Sequence, residues 1–184
     1  ETDIMYYNSI VNHIRNGNFS LWDFTNGFGT SMYQLNLFNP TLWLIYLPGI
    51  IFGPQVMPGC LIYVHILTMV LSALAVWSFL SCFSFSAKGK LIAAYIYAFN
   101  GFLTIWGQHY QFSIILIFFP LLLTFIEKSL QRSRLSLGTV ICTGLMVLST
   151  YYLSYMVLIA TAFYLILRIA VLQRRGFKAF CGTF

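Results

Sequence analysis

Apolar residues are scattered through the first forty positions and almost continuous afterwards, and the polar residues that interrupt them mark the elements. From Asp3 to Arg15, Ile4, Tyr7, Ile10, Val11 and Ile14 recur at helical spacing, which predicts an amphipathic helix. Asn16-Gly17 would end it. The chain then stays polar and turn-rich through Asn26-Gly27-Phe28-Gly29 to Asn39-Pro40, with Phe19, Leu21, Trp22, Phe24 and Phe28 as apolar bulk. That mixture suits a segment resting on a membrane surface. Residues 41–53 are apolar but carry Pro48 and Gly49. They fall short of the roughly 20 residues a span requires, so an interfacial or re-entrant helix is expected there.

Longer apolar runs follow at 58–81, 91–107 and 111–127. Pro120 lies inside the third, and a proline is tolerated in a membrane helix when neighbours satisfy the freed carbonyl. The last run, 136–167, would be roughly 48 Å long as one helix at about 1.5 Å per residue. A hydrocarbon core is about 30 Å thick. The run either tilts strongly or breaks near Ser149-Thr150-Tyr151-Tyr152 into two shorter helices, about 136–150 and 152–168. Two regions result: a polar segment over 1–57 and a helical region over 58–184.

Composition makes the membrane reading firm. Hydrophobic residues are 59% of the chain and charged residues 8%, against about 25% charged in a soluble domain, and the mean hydropathy is +0.81. Such a chain is expected to be all-α, a polytopic bundle of transmembrane helices whose N-terminal segment carries short interfacial helices. The net charge of +6 does not indicate nucleic acid. Nine of the ten Lys and Arg residues cluster at the ends of apolar runs, whereas phosphate-binding grooves keep basic charge in a stripe with stacking aromatics.

The same charges set the expected topology. Lys88 and Lys90 separate the first and second long runs, Lys128, Arg132 and Arg134 follow the third, and Gly107-Gln108-His109-Tyr110-Gln111 has no basic residue. Basic loops face the cytoplasm, so that turn is expected outside. Arg168, Arg174, Arg175 and Lys178 also belong inside, which requires an even number of crossings between 136 and 167. Two short helices satisfy this and one long helix does not. Residues 1–57 then lie outside the cytoplasm, with Arg15 as their single basic residue. The polar start at Glu1 is read as following a missing upstream span, with further helices downstream.

Chemistry is expected on the outer face. Asp3, His13, Arg15 and Asp23 come from the N-terminal segment, Gln108, His109 and Gln111 from the outer turn, and Tyr151, Tyr152 and Tyr155 from the proposed break. A carboxylate near the membrane surface can act as a general base if an acceptor hydroxyl comes within hydrogen-bond reach. Solvated charge or helix capping is the alternative for Asp3 and Asp23. Tyrosines at span ends are commonly interface anchors. His65, inside an apolar run, is read as a packed core residue, and Glu127 beside Lys128 as needing no special role. Cys60, Cys82, Cys142 and Cys181 form no CxxC and no Cys/His cluster, so they read as small core residues. No GxSxG, HExxH or P-loop is present.

Several segments in order resemble YfhO-type membrane proteins. They are Asp3-Ile4-Met5-Tyr6-Tyr7, Gly17, Leu21-Trp22-Asp23 and Gly27-Phe28-Gly29, then Tyr97-Ala98-Phe99-Asn100-Gly101-Phe102. Phe119-Pro120-Leu121-Leu122 with Ile126-Glu127-Lys128, and Tyr151-Tyr152-Leu153-Ser154-Tyr155-Met156, complete the set. The resemblance implies a multi-pass cell-membrane glycosyltransferase of the GT-C type. Such an enzyme moves a sugar from a polyprenyl-phosphate donor to an extracytoplasmic acceptor, here a cell-wall polymer such as lipoteichoic acid. It implies Asp3 as catalytic base, because the family class places its aspartate early in the first outer loop. Arg15, Asp23, His109, Gln108 and Tyr152 are the implied substrate-binding residues. No cofactor is implied with certainty; a divalent metal is used by some of these enzymes. A transporter or flippase of a lipid-linked substrate is the alternative, and it would require ionisable residues at mid-membrane depth.

Overall fold

The computed structural model describes residues 2–18, 21–24, 29–31, 39, 42–107, 109–132 and 135–181. The expected amphipathic helix is α1, Thr2–Arg15. Its stripe of Tyr7, Ile10 and Val11 is buried against Ile45 and Tyr46 of α2, Trp43–Phe52, and against Met57, Leu61 and Val64 of α3, Met57–Leu80. Gly49 permits this closeness: a Cβ there would stand 3.0 Å from Met57 Cγ and 3.1 Å from Val11 Cγ2. Tyr7 meets Tyr46 edge to face at 5.8 Å. Between α1 and α2 lies a short antiparallel ribbon, β1 (Trp22–Asp23) paired with β2 (Thr30–Ser31).

Helix α3 packs against α4, Ala87–Ala98, and α7, Ile115–Arg132. The run read as one span over 91–107 is divided. Asn100 ends α4 by donating its side-chain amide to the Tyr97 carbonyl at 2.6 Å. Its Oδ1 then accepts from the Leu103 N–H at 2.9 Å and caps α5, Gly101–Trp106. A short α6, Tyr110–Ser113, leads into α7. The run 136–167 also breaks, where the sequence placed the division. Helix α8 is Leu137–Ser149, Thr150 is extended at φ −154° and ψ 87°, and α9 is Tyr151–Cys181. Ser154 Oγ donates to the Met146 carbonyl at 2.7 Å, a second bond to an oxygen that also accepts the Thr150 N–H at 3.1 Å, and so ties the start of α9 to the end of α8. A second core joins Ile115, Leu122 and Ile126 of α7 to Cys142 and Met146 of α8.

The outer surface of the bundle is apolar. Ile62, Tyr63, Ile66 and Leu74 of α3, Leu91, Ile92 and Ile96 of α4, and Phe163, Ile166 and Leu167 of α9 are all exposed. Contiguous apolar surface on this scale marks a chain whose solvent is lipid. Residues Pro54–Leu80 and Tyr151–Leu172, 27 and 22 residues long, are each long and apolar enough to cross a membrane. The fold is an all-α membrane helical one.

Candidate functional site

Burying the apolar stripe of α1 against α2 and α3 leaves Ser9 and His13, one turn apart, to meet the ribbon. Ser9 Oγ donates to Asp23 Oδ2. His13 Nδ1 lies 3.0 Å from the Ser9 carbonyl, and its Nε2 lies 3.9 Å from Asp23 Oδ1. Because a carbonyl only accepts, Nδ1 is assigned as the protonated nitrogen. Asp23 is 0% exposed, so its carboxylate is enclosed in the folded loop. Gly29 makes the ribbon possible. Its φ is +104°, and a Cβ on it would stand 2.2 Å from Trp22 Nε1.

Asp3 occupies the first turn of α1 and Arg15 its last residue. Twelve residues of helix separate them by about 18 Å at about 1.5 Å per residue. Arg15 is exposed. Of Asp3 the backbone alone is described, and Gln108 lies outside the described residues.

A second group forms where the turn between α5 and α6 meets the α8–α9 break. A cleft of about 450 Å³ is lined by Phe102 of α5, His109, Phe112 of α6, and Tyr152 and Leu153 of α9. His109 and Tyr152, both expected to bind substrate, are therefore brought together. The His109 carbonyl accepts from the Phe112 N–H at 3.0 Å and from Ser113 Oγ at 3.3 Å, so the turn is held as it enters α6. His65 of α3 lies against the same turn. A Cβ on Gly107 would stand 2.2 Å from His65 Cε1 and equally close to the Leu103 carbonyl oxygen; only glycine fits. The N-terminal segment reaches this end too, since buried Asn39 donates Nδ2 to the Ser149 carbonyl at 3.4 Å.

The opposite end is basic. Arg168 of α9 holds Glu127 of α7 through two hydrogen bonds, and Tyr164 donates to the same carboxylate. Arg168 also stacks over Phe83 at 5.2 Å. Lys90 donates to Ser81 Oγ at 3.3 Å and lies 5.6 Å from the Trp77 ring centroid. Burial raises the Cys82 thiol above its ordinary range, Lys128 acts against this and Glu127 with it, so the thiol stays neutral. The sequence assigned Glu127 no special role and carried no sign of Ser9 or of the contact of His65 with Gly107. The one signal it contained for Glu127 was an acid and a distant arginine at comparable depths in two apolar runs.

Among the described residues, no group of three or more His, Cys, Asp or Glu side chains is placed to hold a metal ion.

An all-α bundle with an apolar girdle, an open cleft at one end and basic residues at the other is an integral membrane protein. The family described as bacterial membrane protein YfhO matches residues 4–183, and the chain belongs to that family. No curated protein and no solved structure matches the chain.

Proposed function

We propose that this chain forms part of a membrane glycosyltransferase of the GT-C type. It would transfer a sugar from a polyprenyl-phosphate donor to an extracytoplasmic acceptor such as lipoteichoic acid. The observation that carries this reading is a convergence at one end of the bundle. Helix α1, whose first turn holds Asp3, packs against Met57, Leu61 and Val64 of α3, and His65 of the same helix lies against Gly107 in the turn that leads to His109 in the cleft. Sidedness agrees: Lys90, Lys128 and Arg168 belong to the other end, and basic loops face the cytoplasm. Residues 1–57 and the cleft then lie outside.

In the reaction, Asp3 takes the proton of an acceptor hydroxyl, whose oxygen forms the new bond to the anomeric carbon. The bond from that carbon to the phosphate oxygen breaks, and polyprenyl phosphate leaves as a stable anion without a general acid. One carboxylate is enough, unlike the pair that glycoside hydrolysis requires. His109 and Tyr152 present hydrogen-bond donors toward the charge that gathers on the leaving phosphate. Arg15, about 18 Å along α1 from Asp3, is better suited to the acceptor polymer than to the donor phosphate.

The test uses the full-length protein in membranes supplied with a labelled polyprenyl-phosphate sugar. Label appearing on wall polymer supports the transferase. Label crossing the bilayer on its original lipid, with none on polymer, identifies a flippase instead.

A further inference from the structure

Helices α8 and α9 form a hairpin. The Ser136 N–H donates to Ser129 Oγ at 3.0 Å, which fastens the start of α8 to the last turns of α7. Tyr164 and Arg168 of α9 return to Glu127, two residues before Ser129. The chain therefore runs along α8, reverses at Thr150 and comes back along α9 to the level it left. Helix α8 begins just after the basic Arg132 and Arg134. It has 13 residues and so climbs about 20 Å at about 1.5 Å per residue. A hydrocarbon core is about 30 Å thick, so the hairpin turns before it reaches the far side. A reversal at that depth leaves backbone groups that lipid cannot satisfy, and it is tolerated only where protein or trapped water covers it.

The cover comes from the segment before α2. Ser149, Thr150 and Ser154 of the hairpin and Asn39 of that segment are all buried polar residues. In an unbroken helix the Ser149 carbonyl would accept from the Leu153 N–H. At the reversal Asn39 serves this oxygen, and its Nδ2 donates to the Ser149 carbonyl at 3.4 Å. A carbonyl only accepts, so the amide nitrogen is the atom assigned to face it. Asn39 is held from its other side as well, because its own carbonyl accepts the Leu42 N–H at 3.1 Å. Leu42 is fully buried in the core shared by α1, α2 and α3. A connected path thus runs from that core through Asn39 to the hairpin tip. The residues just past the tip, Tyr152 and Leu153, line the cleft.

We propose that Asn39 is a positioning residue: it clamps the tip of the α8–α9 hairpin and so sets the cleft wall formed by Tyr152 and Leu153. The far end of α9 is anchored separately, by Tyr164 and Arg168 on Glu127. Releasing Asn39 therefore frees the wall and leaves the helices packed. The proposal concerns the shape of the cleft and not its occupant, and it does not depend on the transferase reading.

Hydrogen exchange read by mass spectrometry, on the full-length protein in lipid nanodiscs, tests it. Asn39→Leu keeps the bulk of the side chain and removes the donor. Exchange over 149–155 should quicken about two- to tenfold, the factor given by the loss of one hydrogen bond. Exchange over 64–80 in α3 and over 160–168 in α9 should stay at the wild-type rate. Asn39→Ala, with no bulk to misplace, should give the same pattern and decides the matter if the leucine variant does not fold. Unchanged exchange over 149–155 would overturn the proposal. So would a rise spread evenly over α3 and the tip, which would mark Asn39 as a general packing residue.

Discussion

Arg168 grips both oxygens of Glu127, with Nε 2.6 Å from Oε1 and Nη2 3.0 Å from Oε2. The two residues lie 41 positions apart, on α9 and α7. Glu127 is 1% exposed, and a carboxylate that far from water needs a charged partner. The fork geometry of arginine supplies it with two parallel bonds. Much of α9 presents apolar side chains outward, so this ionic cluster is a principal polar tie between its distal half and α7.

Arg168→Ala should therefore destabilise the full-length protein by about 3 kcal/mol, the low end for breaking a buried pair because Arg168 is partly exposed. Replacing both residues with methionine should recover most of that loss. Thermal unfolding in detergent measures both. Equal destabilisation by the single and double variants would show that the pair is not a coupled unit.

Asp23 is enclosed by Ser9 and His13. Asp23→Ala should cost about 1–3 kcal/mol, the range for leaving a buried donor without its acceptor. The segment carrying the β1–β2 ribbon should become protease-sensitive, and raising the acceptor concentration should not restore transfer. Restoration by acceptor would place Asp23 in direct contact with substrate.

Gly29 combines a positive φ with contact against Trp22. Gly29→Ala should destabilise the ribbon by about 1–3 kcal/mol, the cost of backbone held in a sparsely populated region. Trp22→Ala in the same chain should relieve the contact and leave the backbone cost. Limited proteolysis of the loop should rank wild type as most resistant, the double variant next and Gly29→Ala least.

Part of the helical plan was legible in the hydropathy and periodicity of the chain. The 136–167 run is interrupted at Thr150, within the Ser149–Tyr152 stretch expected to divide it, but α9 then continues unbroken for 31 residues to Cys181, so length alone does not dictate the break. The α1 stripe of Tyr7, Ile10 and Val11 follows directly from period 3.6 and is buried as that period requires. The division at Asn100 was overlooked because neighbouring apolar residues kept the hydropathy continuous through Asn100-Gly101, although an asparagine before glycine is a capping signal. The ribbon was also missed: strands of two residues are too short to carry an alternating pattern. Of the site, the meeting of His109 with Tyr152 was foreseen only as membership of one face. Glu127 with Arg168, and Ser9 with Asp23, depend on contacts between distant positions that no local pattern encodes.

The most direct test of the central claim compares wild type, Asp3→Asn and Asp3→Glu at equal membrane levels, measuring labelled sugar passed from polyprenyl phosphate to wall polymer. If Asp3 is the base, the Asn variant, which keeps the shape but cannot accept the proton, should lose about 10²- to 10⁴-fold in rate, and Glu should retain a measurable fraction. Transfer by Asp3→Asn at the wild-type rate would contradict it.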